Sequence, residues 1–594
     1  MPALARRSGP NLNRVAAIFA VAVVTIVTRS VMGQGSRPFF GDTDDAMRMV
    51  MVRDFISGQN WFDLSAHRLN TPWGAELHWS RLVDLPVGAI VLLFTPLLSE
   101  TGAMTAAGYV WPMLLLALLL WVSAALANRL VGPEGVLPAV VLPVLNPAIV
   151  AEFTPGRVDH HNVIILLTLT LLWTTVEALQ RPRFAILAGI IAATALAIAT
   201  ESLPPVAAAI LVMGLLWVID PARAGAMRGF GLALGTASLL HLALFRPPAR
   251  WLEAACDVLS PFYVGIALVV AVVFTLASTL PLAKAWQRLG LLAVLGFMGL
   301  ALMLRLYPEC LGGPYGELDP WLQQNWIGGI FEARPWLVTL NELPGYAVAV
   351  GIPVLVALIT VGVRLWRVRD DREGWAVLLV FLLLTSVVML VQVRGARLAV
   401  MPATPAAAWL IVSARRRYLS RPRWPQILAL VSSWLVFAGV VLSLLVSLIV
   451  ERFPSHAQYV AQVQGDKDQC LLPSAFADLA ALPPERIMSP IDLGAHLLLE
   501  TPHEVVSAPY HRNERGVRDT FRFFNDPIDT ARQILSERGI GLVVICPAMP
   551  EVQGLPSQTA DSFATLRREG RLPDWLSNVS LPGSPFEVYA VLPQ

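Results

Sequence analysis

Lysine is almost absent from this sequence: Lys284 and Lys467 are the only two among 594 residues. Charge of either sign is scarce, at 14% of the chain, whereas soluble globular proteins carry about 25%. The 44 basic and 42 acidic residues leave a net charge of +2, which excludes a nucleic-acid binder held by bulk positive charge. Internal repeats and low-complexity segments are also missing. What is present is apolar: 56% of residues are hydrophobic and the mean hydropathy is +0.61. Apolar runs recur at the ~20-residue length that crosses a bilayer. The chain therefore reads as an α-helical polytopic membrane protein.

The runs predict about thirteen spans, near 15–31, 104–127, 136–152, 162–178, 185–200, 205–219, 229–245, 262–281, 289–306, 343–363, 375–392, 398–413 and 426–450. The first reads as a retained anchor, because Thr28-Arg29-Ser30 stands where a signal peptide would carry small residues. The run 86–98 is short and flanked by proline, so it reads as interfacial or re-entrant. With a cytoplasmic N-terminus, the inward segments hold about 19 basic residues and the short outward loops about 6, a positive-inside bias. That orientation predicts a bacterial inner-membrane domain over 1–450, with a long first periplasmic loop at 33–85, and a periplasmic domain over 451–594. In the tail, Arg486–Ser489, Glu504–Ala508 and Gly541–Cys546 read as strands, and Ile491–Leu499 and Ile528–Arg538 as helices. Such alternation predicts a small α/β domain. All four cysteines fall outside the cytoplasm in this topology. Cys256 and Cys310 sit at the ends of one helical hairpin, and Cys470 and Cys546 in the tail. Two disulfides fit an oxidising compartment; free buried thiols are the alternative.

Ionisable residues near a bilayer are costly and usually functional, and here they gather on the outward side. The first loop opens with Asp42-Thr43-Asp44-Asp45-Ala46-Met47-Arg48 and continues to Arg53. Its carboxylates repel unless a cation or arginines compensate; a solvated helix cap paired with Arg48 and Arg53 is the plainer reading. A second cluster, Gly156-Arg157-Val158-Asp159-His160-His161, offers a carboxylate and an imidazole suited to Mg²⁺ or Mn²⁺, or else a helix cap. In a third, Arg394 and Arg397 enter the membrane from the less basic side. They need a buried anion, either a helix carboxylate or a lipid phosphate. Glu332 lies in the outward loop from about 307 to 342.

In this order the motifs resemble those of the GT-C glycosyltransferases, most closely the bacterial and archaeal single-subunit oligosaccharyltransferases. Asp44-Asp45-Ala46-Met47 with Arg53 resembles the family's first-loop aspartate motif. Gly156-Arg157-Val158-Asp159-His160-His161 resembles its Gly-x-x-Asp-x-Asp/Glu/His motif, Glu332 with Pro335 its mobile-loop Glu-x-x-Pro, and Gly395-Ala396-Arg397 its carrier-contacting Gly-x-Arg. The resemblance implies transfer of a sugar or glycan from a polyprenyl phosphate or pyrophosphate carrier to a periplasmic glycan, lipid or protein acceptor. It implies a divalent ion on Asp45, Asp159 and His161, phosphate contacts from Arg397, Arg394 and Arg157, and catalytic roles for Asp44, Asp45 and Glu332, with Asp44 or Glu332 as general base. The family's sequon-reading Trp-Trp-Asp is missing from the sequence, which shifts the expected acceptor to a hydroxyl. Tyr510-His511-Arg512-Asn513 reads either as acceptor-binding or as structural. A lipid-linked-glycan flippase and a polysaccharide polymerase or ligase are the competing classes, though no paired half-repeats mark a transporter.

Overall fold

The computed structural model describes residues 12–450, 467–553 and 559–593. Arg6, Arg7 and the chain just after the expected boundary at 450 lie outside the described residues. Among those described, ten helices are long and apolar enough to cross a bilayer. Two bent pairs, Pro133–Leu145 with Pro147–Phe153 and Trp424–Leu435 with Gly439–Val450, raise the number to twelve if each is one span. Arg183–Ile198 makes up the difference from thirteen: it is apolar but has only 16 residues, about 24 Å at 1.5 Å per residue. Arg81–Phe94 has 14 residues, too few to cross, as the Pro-flanked run suggested.

Burial varies across this bundle as a membrane protein requires. In Ala285–Leu306 only 6% of the apolar window is covered by protein, and Val294, Phe297 and Met298 stand exposed; such a surface is stable only against lipid. Val393–Ser420 is the opposite case, with 89% of its window buried. Ala396, Ala399, Ala403, Ala406 and Ala407 are all enclosed there, and small side chains let neighbouring backbones approach closely.

The first loop is ordered rather than a plain connection. Asp42 caps the helix Thr43–Ile56, its side chain accepting the Asp44 amide at 3.0 Å. Every residue from Asp45 to Val52 is buried, so the helix lies wholly between the bundle and the C-terminal segment. A hairpin follows, β1 (Ser65–Ala66) with β2 (Ala75–Glu76). The C-terminal segment carries β3 (Arg486–Met488), β4 (Glu504–Val505), β5 (Leu542–Ile545), β6 (Leu576–Asn578) and β7 (Glu587–Val591) in the order β4-β3-β5-β7-β6. The β4-β3-β5 half is parallel and the rest antiparallel. The outer edge of β4 is closed by the first loop, since the Thr71 amide donates to the Val505 carbonyl and the Val505 amide to Arg68. Pairing removes an exposed edge and fixes the sheet to the bundle. Arg53 and Arg68 strengthen the joint by donating to the Leu498, Leu499 and Thr501 carbonyls, which lie at the end of the Gly494–Glu500 helix, where backbone acceptors are free. Both disulfides are formed, Cys256–Cys310 and Cys470–Cys546.

Candidate functional site

The site is assembled where the buried first-loop helix meets the turn before the His161–Ala178 helix. Gly156 makes that turn possible. Its φ is +93°, and an added Cβ would sit 2.0 Å from the Phe39 carbonyl oxygen, so no other residue fits. The turn is then clamped by Asp45. One carboxylate oxygen accepts the amides of Val158 (2.8 Å) and Asp159 (3.0 Å), and the other pairs with Arg157 at 2.8 Å. Asp44, its helix neighbour, faces elsewhere. Burial, together with nearby Asp159 and Asp42, raises its carboxyl well above the usual range, and the Tyr510 hydroxyl is within hydrogen-bond reach of it.

Asp159 is the centre of a buried network. Its Oδ1 takes Arg48 at 3.2 Å and His160 Nδ1 at 2.7 Å, and Arg48 in turn holds Asp84 at 2.7 Å. Burial works against the Asp159 charge, but His160, His161 and Arg48 outweigh it and keep the carboxyl well below the ordinary range. Asp159 Oδ2 has no hydrogen-bond partner, and His161 Nδ1 has none either. The ring of His161 lies between two acids, 3.4 Å from Asp159 Oδ2 on one side and 3.4 Å from Glu201 on the other. Donor atoms of Asp159, His160 and His161 all lie within 4.8 Å of one another. His161 Nε2, which faces Asp159 Oδ2 at 3.4 Å, and that oxygen, unpartnered among the described residues, are an imidazole and a carboxylate donor suited to a divalent cation.

Beside this centre is a cavity of about 240 Å³ into which Arg157, Arg394 and Arg397 all project. Three acids balance them. Arg157 pairs with Asp42 and Glu152, each at 2.7 Å; Arg397 pairs with Glu152 at 2.7 Å and with Glu332. Burial pushes Asp42 up, but Arg157 outweighs it and holds the carboxyl at about 2. Arg397 Nη1 is buried without a hydrogen-bond partner among the described residues, an unused donor on a residue that lines the cavity. Gly395 sets the approach of this segment: an added Cβ would lie 2.6 Å from the Met389 amide.

No protein-family profile matches the sequence, and no curated protein matches it. Solved structures do. The archaeal oligosaccharyltransferase AglB from Archaeoglobus fulgidus, in complex with an inhibitory peptide and a dolichol-phosphate, is similar at TM-score 0.67 and 14% identity, with 97% of this chain and 74% of that one covered. The chain has the GT-C fold. The Archaeoglobus fulgidus oligosaccharyltransferase tethered with an acceptor peptide containing the NVT sequon gives TM-score 0.63, 14% identity, and coverage of 98% and 74%. The same enzyme in complex with Zn and sulfate gives 0.60, 13%, and 97% and 74%.

Within this GT-C framework, the sequence-selected residues Asp44, Asp45, Arg157, Asp159, His161, Glu332, Arg394 and Arg397 come from four distant segments and meet at one end of the bundle. Asp45, expected to hold a metal ion, has its carboxylate engaged by two amides and Arg157, contacts that clamp the turn. The carboxylate beside Asp159 and His161 belongs to Asp44. Arg48, which the plainer reading made a partner of the acidic cap, instead orients Asp159. The tetrapeptide at 510–513 is a strut: the Tyr510 hydroxyl donates to the Thr43 carbonyl at 3.0 Å, and His511 and Arg512 grip Asp257 at 2.7 Å each. Asp42, read only as one carboxylate of the acidic cluster, pairs with Arg157, and two further participants were missed, Glu152 and Glu201. Glu152 and Glu201 follow the apolar stretches Pro147–Ala151 and Ala195–Thr200, and an acid set in such a stretch is itself the signal.

Proposed function

We propose that the protein is a glycosyltransferase that moves a sugar or glycan from a polyprenyl-phosphate-type carrier to a hydroxyl acceptor at the external face of the membrane. The observation that supports this most is the convergence of Arg157, Arg394 and Arg397 on one cavity next to Asp44, Asp159 and His161. Guanidinium groups match phosphate oxygens in geometry and charge, and the arginine bias of the opposite end of the bundle supports an external site. In this reading Arg397, through its free Nη1, and Arg394 neutralise the carrier phosphate as the sugar leaves. Glu332, whose side chain is 45% exposed, releases Arg397 to the ligand. Asp44, its carboxyl raised by burial and by its acidic neighbours, accepts the proton of the attacking hydroxyl, a transfer that a base with an elevated pKa performs well. Arg48 and His160 hold Asp159 in place. Asp159 and His161 are the residues that would bind a divalent ion, Mg²⁺ or Mn²⁺, which when bound supplies Lewis-acid stabilisation to the leaving phosphate. A neighbouring enzyme binds a peptide acceptor, but the missing Trp-Trp-Asp favours a hydroxyl here.

The test is transfer from a radiolabelled polyprenyl-phosphate sugar pool in membranes that contain the protein. Asp44→Asn, Asp159→Asn and Arg397→Met should each reduce transfer at least 100-fold while the protein stays inserted and oxidised at both disulfides. Unchanged transfer in Arg397→Met would overturn the donor site.

A further inference from the structure

A second pocket is lined by His78, Trp79, Ala197, His241, Phe245 and Arg246, and its Trp79 stacks at 4.1 Å on Arg48, which holds Asp159. None of the roles above uses it. Its volume is about 30 Å³, space for two or three water-sized groups and too little for a whole sugar ring. Arg246 is only 5% exposed, and both its Nε and its Nη2 lack any hydrogen-bond partner. Those two nitrogens form one edge of the guanidinium plane, the edge that grips a carboxylate with two parallel bonds. His78 Nδ1 and His241 Nδ1, also in the lining, are buried and unpartnered as well.

The surrounding charges leave Arg246 undersupplied. Glu76 is shared by Arg250, by Arg512 at 3.4 Å and by Arg246 at 3.6 Å. Arg250 has Glu253 besides, at 3.5 Å, and Arg512 has both oxygens of Asp257, at 2.7 and 2.9 Å. Among the described residues, the ion pair of Arg246 is this long contact with Glu76 alone. A buried guanidinium with an unused bidentate edge is costly unless an anion meets it.

We infer that this pocket binds the carboxylate of an acidic sugar, so that the substrate class of the enzyme includes uronate-type glycans. The anion site stands on the geometry of Arg246; only the identification of its ligand as a sugar acid rests on the glycosyl-transfer reading. The carboxylate belongs either to the transferred sugar or to the acceptor, and both sources present the same group to Arg246.

The experiment uses the full-length protein in nanodiscs, with methyl β-D-glucuronide and methyl β-D-glucoside as probes in ligand-observed NMR. The glucuronide should bind at least tenfold more tightly than the glucoside. Arg246→Met should abolish that preference, and Arg246→Lys, which keeps the charge but loses the fork, should weaken it about tenfold. Arg397→Met should leave the preference within twofold while removing binding of decaprenyl phosphate. Equal or absent binding of the two glycosides would mean a hydrated pocket only and would overturn the inference, as would a preference that survives Arg246→Met or vanishes in Arg397→Met. Decaprenyl phosphate bound equally by wild type and Arg397→Met would instead defeat the donor reading and leave the anion site intact. Displacement of the glucuronide by decaprenyl-phosphoryl glucuronate would put the acid on the transferred sugar, and additive binding would put it on the acceptor; each supports the pocket.

Discussion

Asp44 and Asp45 are adjacent and chemically identical, so exchanging each for asparagine tests the division of labour between them. Asp45 is 1% exposed and makes three bonds, to the amides of Val158 and Asp159 and to Arg157. In Asp45→Asn the amide oxygen still accepts both backbone N–H groups, but its NH₂ faces the Arg157 guanidinium, donor against donor. A hydrogen bond to a charged group contributes about 1.5–3 kcal/mol. Arg157 keeps Asp42 and Glu152, so the full ~3–5 kcal/mol of an orphaned buried charge does not apply. The expected loss is therefore about 2 kcal/mol, which raises the open population of the 157–159 turn about 30-fold at 1.4 kcal/mol per decade. Asp45→Ala removes all three bonds and should cost about 4 kcal/mol. Hydrogen–deuterium exchange at the Val158 and Asp159 amides reads the effect directly. Asp44→Asn should leave those amides protected and abolish transfer. If Asp45→Asn instead left exchange unchanged and removed Mn²⁺ binding, Asp45 would be a ligand and the clamp assignment wrong.

Two further outcomes follow from the same contacts. Burial raises Asp257, but hydrogen bonds from Arg512 and His511 outweigh it and hold the carboxyl far below the usual range. Because its folded pKa lies below the unfolded value of about 3.9, the stability it contributes is present above that pH and is lost as pH falls further. Acid should therefore weaken the 510–513 strut progressively in wild type, from about pH 4 downward to the far lower pH at which the folded carboxyl protonates, whereas Asp257→Asn should show a loosened strut already at neutral pH and no added acid step by exchange. For the cation, Mn²⁺ should raise the unfolding temperature in a chelator-reversible way. Asp159→Asn and His161→Gln should abolish that rise, and persistence of the rise in both variants would remove the metal site.

Much of the fold was legible because lipid imposes a length rule: apolar runs near 20 residues mark helices whatever their partners. The short Arg183–Ile198 helix was legible as apolar, but its end at Ala199 is set by the turn that delivers Glu201. The last two strands were not read: Phe586-Glu587-Val588-Tyr589-Ala590-Val591 is an apolar run broken only by Glu587 and buries the adjacent Val588 and Tyr589 on opposite faces, so it lacks the two-residue alternation that marks a half-buried strand. The site was legible as a set of residue types and illegible in orientation. Successive residues on a helix diverge by about 100°, so only one of Asp44 and Asp45 can clamp the 157–159 turn. Which one does depends on how the 154–158 turn docks, a long-range contact through Gly156 and Phe39 that no local pattern encodes.

The number of phosphates on the donor can be argued from charge. The cavity lining sets Arg157, Arg394 and Arg397 against Asp42, Glu152 and Glu332, and Asp45 and Glu201 pair with Arg157 and Arg394 from behind it, so no positive charge is spare as it stands. Glu152 has a side-chain exposure of 5% and cannot leave, whereas Glu332, at 45%, can turn to solvent. Its departure frees one positive charge, enough for a phosphodiester but one short for a sugar pyrophosphate, which carries about two negative charges. An unbalanced charge at ~4 Å and an effective dielectric of ~20 amounts to about 4 kcal/mol, so even a largely screened remnant should exceed tenfold in affinity. Chelation should thus change the binding of a polyprenyl-phosphate sugar less than threefold, and weaken a polyprenyl-pyrophosphate sugar at least tenfold. Glu332→Gln supplies the missing charge in advance and should erase most of that difference. Equal binding of both donors under chelation, in wild type and variant alike, would show that charge balance does not select the carrier.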